Sequence, residues 1–140
     1  MQKTFLTPHF TLEELTKTNT GLSNIPSVEQ INQLRNLCRD ILEPLRIHLG
    51  DSPIIIHSGF RSPSVNKAVL GVSTSQHLLG QAADISSPCY TAVELYKIID
   101  KLVVEGDFNI GQCILYKNSH FVHVSLPSRI HKNDFMVLNK

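Results

Sequence analysis

The order of apolar and turn-forming residues predicts an α+β chain, with a small, mostly antiparallel sheet flanked by helices. Three observations carry this reading. Helix-start signals open runs of apolar residues spaced by threes and fours. Short β-branched or alternating runs lie between those helices. A last pair of strand-like runs flanks Asn118-Ser119, which reads as a hairpin. The elements follow the order helix, strand, strand, helix, hairpin.

Residues 1–26 form a lead-in. Thr11-Leu12-Glu13-Glu14 is a capping box and starts a brief helix. Thr18 to Pro26 is rich in Thr, Asn, Ser and Gly, so it is a loop that wraps the domain or rims a cleft. Ser27-Val28-Glu29-Gln30 is a second capping box. Behind it Val28, Ile31, Leu34, Cys38, Ile41, Leu42, Leu45 and Leu49 make one apolar stripe, a helix of about five turns ending near Gly50. Pro44 has no N–H to give that helix, so it should kink it or split off the last turn.

Ile54-Ile55-Ile56, bounded by Pro53 and Gly59, predicts a buried strand that His57 and Ser58 continue. Ser62-Pro63 opens another helix, running to about Leu70. Residues 71–75 are a loop. Ala82-Ala83-Asp84-Ile85-Ser86 predicts a second strand, with Ala82, Asp84 and Ser86 on one face and Ala83 and Ile85 on the other. Thr91-Ala92-Val93-Glu94 caps a helix with Val93, Tyr96, Ile99, Leu102 and Val103 inside, ended by Gly106. Gln112 to Lys117 and His120 to Leu126 are the hairpin arms. The tail, Arg129 to Lys140, packs as an edge segment or frays.

The chain has 140 residues, so residues 1–140 are expected to form a single domain. The net charge is +1, from 13 basic and 12 acidic side chains spread along the chain. That balance gives no electrostatic footprint for nucleic acid and none for docking on a membrane. The three cysteines, Cys38, Cys89 and Cys113, form no Cys-x-x-Cys pair and suit a reducing compartment. Cys38 and Cys113 sit in apolar patterns and belong to the core. The N-terminus carries no apolar run of signal-peptide length, so the chain is expected to be cytoplasmic as synthesised. It is expected to be a monomer.

The stretch from Ser75 to Asp84 carries the chemistry. His77 and Asp84 stand seven positions apart with Gly80, Ala82 and Ala83 between them. An imidazole nitrogen and a carboxylate oxygen are ordinary zinc ligands. His123, on the second hairpin arm, is the best third. The expectation is one zinc ion per chain on His77, Asp84 and His123, with the fourth position left to water, as in catalytic rather than structural sites. Small residues between the first two ligands let the chain turn tightly and keep bulk off the ion.

The order Ser75-x-His77-x-x-Gly80-x-Ala82-x-Asp84, followed much later by His123, resembles the M15 zinc peptidases. These are the D-alanyl-D-alanine carboxypeptidases and the related D,D- and L,D-endopeptidases of peptidoglycan. His57-Ser58-Gly59-Phe60-Arg61-Ser62-Pro63 is similar to that family's Ser-Gly-Tyr-Arg-Ser-Pro segment. The likeness runs from about Phe5 to Leu126 and is greatest to the small, single-domain, endolysin-like branch. It implies a fold of the Hedgehog/DD-peptidase type. It implies a zinc-dependent peptidase acting on peptidoglycan stem peptides or other D-Ala-containing peptides. It implies that Arg61 binds substrate near the scissile bond or at its terminal carboxylate. A guanidinium suits either, because it grips a carboxylate with two parallel bonds. Ser75 and Gln76, beside the first ligand, orient the loop or touch substrate. Small size, the lack of a signal and the lack of a wall-binding domain suggest a phage or prophage protein that reaches the wall on lysis.

One position departs from the pattern. The M15 peptidases commonly carry Glu or Asp three residues before the last zinc histidine, and here that residue is His120. A neutral imidazole can also take a proton. Residues three apart in a regular strand point to opposite faces, so His120 reaches the metal side only from a turn or a bulge. His57 is a second candidate base, and Asp107 could also turn inward. His9, His48 and His131 lie outside the motifs and read as surface residues. Two other readings compete: a catalytically weak or inactive zinc-containing module that binds cell-wall peptides, and a cytoplasmic hydrolase of a free dipeptide.

Overall fold

The computed structural model describes residues 2–140. It is α+β, with a two-stranded and a five-stranded sheet. The lead-in forms a hairpin that the sequence reading did not foresee, β1 (Phe5–Thr7) antiparallel to β2 (Phe10–Thr11). Thr11 then caps α1 (Leu12–Thr16) in the expected capping box, with Glu14 reaching back to the Thr11 N–H. Phe10 and Leu15 are fully buried, so the hairpin and α1 nail the N-terminal segment to the core.

Ser27 caps α2 (Val28–Leu37) in a second capping box. The helical path then widens into a π-turn at Cys38–Leu42 before α3 (Glu43–His48). Pro44 explains the widening. A proline ring clashes with the carbonyl four residues back and donates nothing to it, at a cost of about 3 kcal/mol in a regular helix. In the π-turn the Glu43 N–H reaches back to Cys38 instead. The helix is therefore neither broken nor shortened. Leu34, Leu37, Ile41, Leu42 and Leu45 are all but fully buried along it. At about 1.5–3 kcal/mol each, that burial outweighs the irregularity. Val28, expected in the stripe, is 76% exposed because it sits in the first turn, beyond the edge of the core.

The larger sheet has the strand order β3, β4, β6, β5, β7. Its members are β3 (Ile55–Ser58), β4 (Ala82–Ser86), β5 (Gln112–Tyr116), β6 (Val122–Ser125) and β7 (Asp134–Leu138). All neighbours are antiparallel except β5 and β7, which run parallel. The tail thus packs as an edge strand rather than fraying. β3 is the opposite edge, and this corrects the expectation of a buried strand: Ile54 and Ile56 are buried, but Ile55 is 43% exposed. An edge strand covered on one face buries alternate residues only.

Between these strands lie α4 (Pro63–Ala68), capped by Ser62, and α5 (Ala92–Val104), capped by Thr91. Leu95, Ile99 and Leu102 form the buried stripe of α5, while Val93 points to solvent at 47% exposure. Alternation decides the sheet's two faces. Ala83, Ile85, Val122, Val124, Cys113 and Leu115 join the helices in one core. Asp84, His123, Ile114 and Tyr116 point the other way, into a cavity. No helix among the described residues is long and apolar enough to cross a membrane.

Candidate metal centre

The cavity has a volume of about 450 Å³. Its floor is the face of the sheet turned away from the helices. Asp84 and His123 are direct cross-strand partners on β4 and β6, and Ile114 of β5 is the next residue in that row. Opposed residues on one face of a sheet hold their Cβ atoms about 5 Å apart, so pairing register alone brings carboxylate and imidazole together. His77 arrives from above, in a 3-10 turn at Gln76–Leu79. Ser75 caps that turn, its Oγ accepting the His77 N–H at 3.1 Å. Gly80 ends it with φ +73°, and a Cβ there would lie 2.5 Å from the Gln30 carbonyl oxygen. Only glycine fits that combination of backbone angle and close approach.

His77, Asp84 and His123 each present one ligand atom, and the three atoms lie within 4.8 Å of one another. All three residues are buried. His77 Nε2 is 3.3 Å from Asp84 Oδ1, and His123 Nδ1 is 3.2 Å from the same oxygen. The edge of a tetrahedron with metal–ligand bonds of about 2.0 Å is about 3.3 Å. Proton placement makes the case stronger. His77 Nδ1 lies 2.7 Å from the Gly59 carbonyl oxygen, which can only accept, so this nitrogen carries the proton. In the neutral ring Nε2 is then a bare lone pair facing a carboxylate oxygen. Two acceptors at that distance need a proton or a metal cation between them. A backbone carbonyl behind a histidine also fixes the ring's direction, the usual arrangement around metal ligands.

Electrostatics favours the ligating forms. Burial alone would push the Asp84 carboxyl up; hydrogen bonds from His123 and His77 more than offset it and hold it below the ordinary carboxylate range. Burial pushes His123 down, against the pull of Asp84, so its ring is neutral at neutral pH. Asp84 is an anion and His123 a free base, the states that metal coordination requires.

Arg61 closes one side. Its Nη2 donates to Asp84 Oδ2 at 3.1 Å, Nε to Ser58 Oγ at 3.0 Å and Nη1 to Asn66 Oδ1 at 3.3 Å. Asp84 therefore divides its oxygens, Oδ1 toward the histidines and Oδ2 toward Arg61. A guanidinium has five N–H groups, so two remain for a ligand in the cavity. The loop before Arg61 is held by the wrapping segment: Asn24 Nδ2 donates to the Phe60 carbonyl and Asn24 Oδ1 accepts from Ser62 N–H. The loop at 18–26 is thus a clamp on the arginine segment, not a wall of the cavity.

The other expected site residues divide. Ser75 and Gln76 both line the cavity. The Gln76 amide nitrogen is occupied in bonds to Gln81 Oε1 and the Leu126 carbonyl, so it ties the turn to the sheet. His57 is not brought to the cavity. Its Nε2 meets Ser86 Oγ at 2.6 Å and its ring lies against Phe121, on the exposed side of edge strand β3. His120 sits in the turn before β6, where strand alternation does not bind it, but it is exposed and not part of the lining. Asp107 is exposed beyond α5. Among the lining residues that were not foreseen are Tyr116, His131 and Lys140. Tyr116 had a readable signal, since Gln112, Ile114 and Tyr116 alternate onto one face of β5. Burial and the nearby Asp84 charge raise the Tyr116 hydroxyl, which stays a proton donor at neutral pH. Cys38 and Cys113 are buried away from the cavity. Burial pushes Cys38 up to about 12 and Cys113 higher, so neither is a nucleophile.

Residues 8–125 match the family described as Peptidase M15, and the chain belongs to that family. Over 82 residues it is 34% identical to the zinc D-Ala-D-Ala carboxypeptidase of Streptomyces albus G. That alignment covers 56% of this chain and 31% of the relative, so the chain matches about a third of the relative's length.

Proposed function

We propose that this chain is a zinc-dependent peptidase that hydrolyses amide bonds in peptidoglycan peptides, as a D,D- or L,D-carboxypeptidase or endopeptidase. His77, Asp84 and His123 would hold one zinc ion, in a domain of the Hedgehog/DD-peptidase type. The observation that carries the reading is the convergence of His77 Nε2 and His123 Nδ1 on Asp84 Oδ1, at 3.3 and 3.2 Å, in one buried cluster of three metal-ligating groups. The continuous core from Leu6 to Leu126 supports treating residues 1–140 as one domain.

A zinc ion in such a site supplies a Lewis acid and an acidified water. The protein's own groups then divide the remaining work. Arg61 grips a substrate carboxylate or the scissile carbonyl with its two unoccupied N–H groups, and its bond to Asp84 fixes its angle. Tyr116 offers an O–H from the cavity wall. His120 is the proposed proton carrier to the leaving amine. It acts by an inward turn of residues 117–121, a segment that carries Phe121 of the lining at its end.

A second reading keeps the zinc and the cleft but makes the chain a cell-wall peptide-binding module. The observation favouring it is the exposed position of His120, outside the cavity lining. Digestion of purified peptidoglycan by the zinc-loaded protein, followed by mass spectrometry, separates the two. The peptidase reading expects new free amines that vanish in His123→Ala, and fragment masses that name the bond. It expects His120→Ala to lower turnover at least about a hundredfold, the usual worth of a general acid or base. Peptide binding without any cleavage would establish the module.

A further inference from the structure

Residues 126–140 lie outside the family match, yet they close one side of the cavity with His131, Leu138 and Lys140. This wall is built, not draped. β7 pairs along the whole of β5, with Leu138 opposite Tyr116. Beyond β7, Lys117 N–H bonds the Leu138 carbonyl at 2.9 Å and Asn118 N–H bonds the Lys140 carbonyl at 2.7 Å. Those bonds hold residues 138–140 against the β5–β6 turn, and Lys140 is among the residues that line the cavity. Before β7, Asn133 exchanges bonds with Ile110: its N–H donates to the Ile110 carbonyl, and its Oδ1 accepts from the Ile110 N–H. His131 is clasped by Ser128, whose Oγ takes its N–H and whose own N–H donates to its carbonyl.

His131 Nδ1 is 2.9 Å from Asp134 Oδ2. A carboxylate only accepts, so Nδ1 carries the proton, and in the neutral ring Nε2 is an open acceptor. Nε2 has no hydrogen-bond partner among the described residues. The charges of the lining are lopsided. Its one carboxylate, Asp84, is already paired with Arg61, and Lys140 is a second cation that forms no ion pair among the described residues.

We propose that this wall is a second recognition subsite, in which Lys140 Nζ binds a side-chain carboxylate of the bound peptide and His131 Nε2 accepts one of its N–H groups. The preferred substrates are then acidic peptides, recognised by Arg61 at one anionic point and by Lys140 at another. This rests on reading the cavity as a peptidase site.

The test uses the full zinc-loaded chain and two peptides ending in D-alanyl-D-alanine. They are identical except that one carries a side-chain carboxylate next to the terminal dipeptide where the other carries the carboxamide. Wild-type protein should prefer the carboxylate peptide by about fivefold in KM, the upper worth of one solvent-accessible ion pair. Lys140→Gln should bring that ratio to one, and Lys140→Arg should keep it. A variant that merely folds poorly would weaken both peptides together and leave the ratio alone. His131→Phe keeps the ring but removes the acceptor, and should raise KM for both peptides roughly fivefold with the ratio unchanged. A ratio that survives in Lys140→Gln, or a KM indifferent to His131→Phe, overturns the proposal. If neither peptide is cleaved, the D,D-carboxypeptidase form of the peptidase reading fails, and the same comparisons made as Kd by calorimetry still decide the subsite.

Discussion

The proton of the His77 ring sits on Nδ1 because the Gly59 carbonyl, 2.7 Å away, can only accept. That contact leaves Nε2 facing Asp84 as a candidate ligand. Gly59 is glycine for a related reason: a Cβ there would collide with the Leu15 carbonyl oxygen, whose acceptance of the Phe60 N–H at 2.7 Å holds the loop in place. Arg61 shows the same economy, since one side chain bonds Ser58, Asn66 and Asp84. Lysine cannot reproduce a planar fork. Arg61→Lys should therefore lower kcat/KM by about thirtyfold, or about 2 kcal/mol, the worth of a hydrogen bond to a charged group, while zinc content stays near wild type. Steady-state kinetics beside metal analysis checks it. The charges also set a pH dependence for the chelated, metal-free protein. The folded His123 pKa lies below its unfolded value of 6.5, so the unfolded chain binds more protons and stability falls as pH drops below about 6.5. The Asp84 carboxyl is depressed too, so its contribution is present above an unfolded value of 3.8 and is lost below it. Thermal unfolding of the chelated protein should show a falling Tm from pH 7 to pH 5, and His123→Gln should flatten that fall.

At the scale of elements, the proposed metal triad comes from one cross-strand pair and one 3-10 turn. Asp84 and His123 were legible in the sequence because strand alternation and the histidine–carboxylate spacing are local signals. His77 was legible with them, because Gly80 and the small residues after it announce a tight turn. What the sequence did not reveal depends on contacts between distant segments. Val28 and Val93 fit their helical stripes by spacing, yet both sit in first turns beyond the core. The π-turn at Cys38–Leu42 answers Pro44 in a way no propensity scale encodes. His131 and Lys140 reach the cavity only because β7 pairs in parallel with β5, and the short apolar end of the tail, legible as an edge segment, does not name that partner. Gly80→Ala tests the turn. An L-residue at φ +73° costs about 1–2 kcal/mol, and the Gln30 carbonyl adds a clash. The variant should unfold at lower temperature and bind zinc more weakly, because the turn that aims His77 must shift. Unchanged zinc affinity in a folded Gly80→Ala protein would show that the turn does not set the ligand's position.

Across the whole molecule, labour is divided by the two faces of one sheet. The face against α2, α3 and α5 carries the apolar core, including two thiols with pKa values raised by burial. The opposite face carries Asp84 and His123 and meets Arg61, His77 and the C-terminal wall around the cavity. A rigid sheet holds Asp84 and His123, while shorter segments bring the other groups to them. The family motif lies on the sheet and its adjoining loops, and residues 126–140, outside the family match, contribute a wall. The most direct test restores zinc stepwise to chelated protein while release of new free amines from purified peptidoglycan is followed. Turnover should rise from zero to a plateau at one zinc per chain, and should stay at zero in His77→Ala and His123→Ala at every zinc level. Turnover by the metal-free protein, or a normal plateau in either variant, would contradict a metal centre built from these residues.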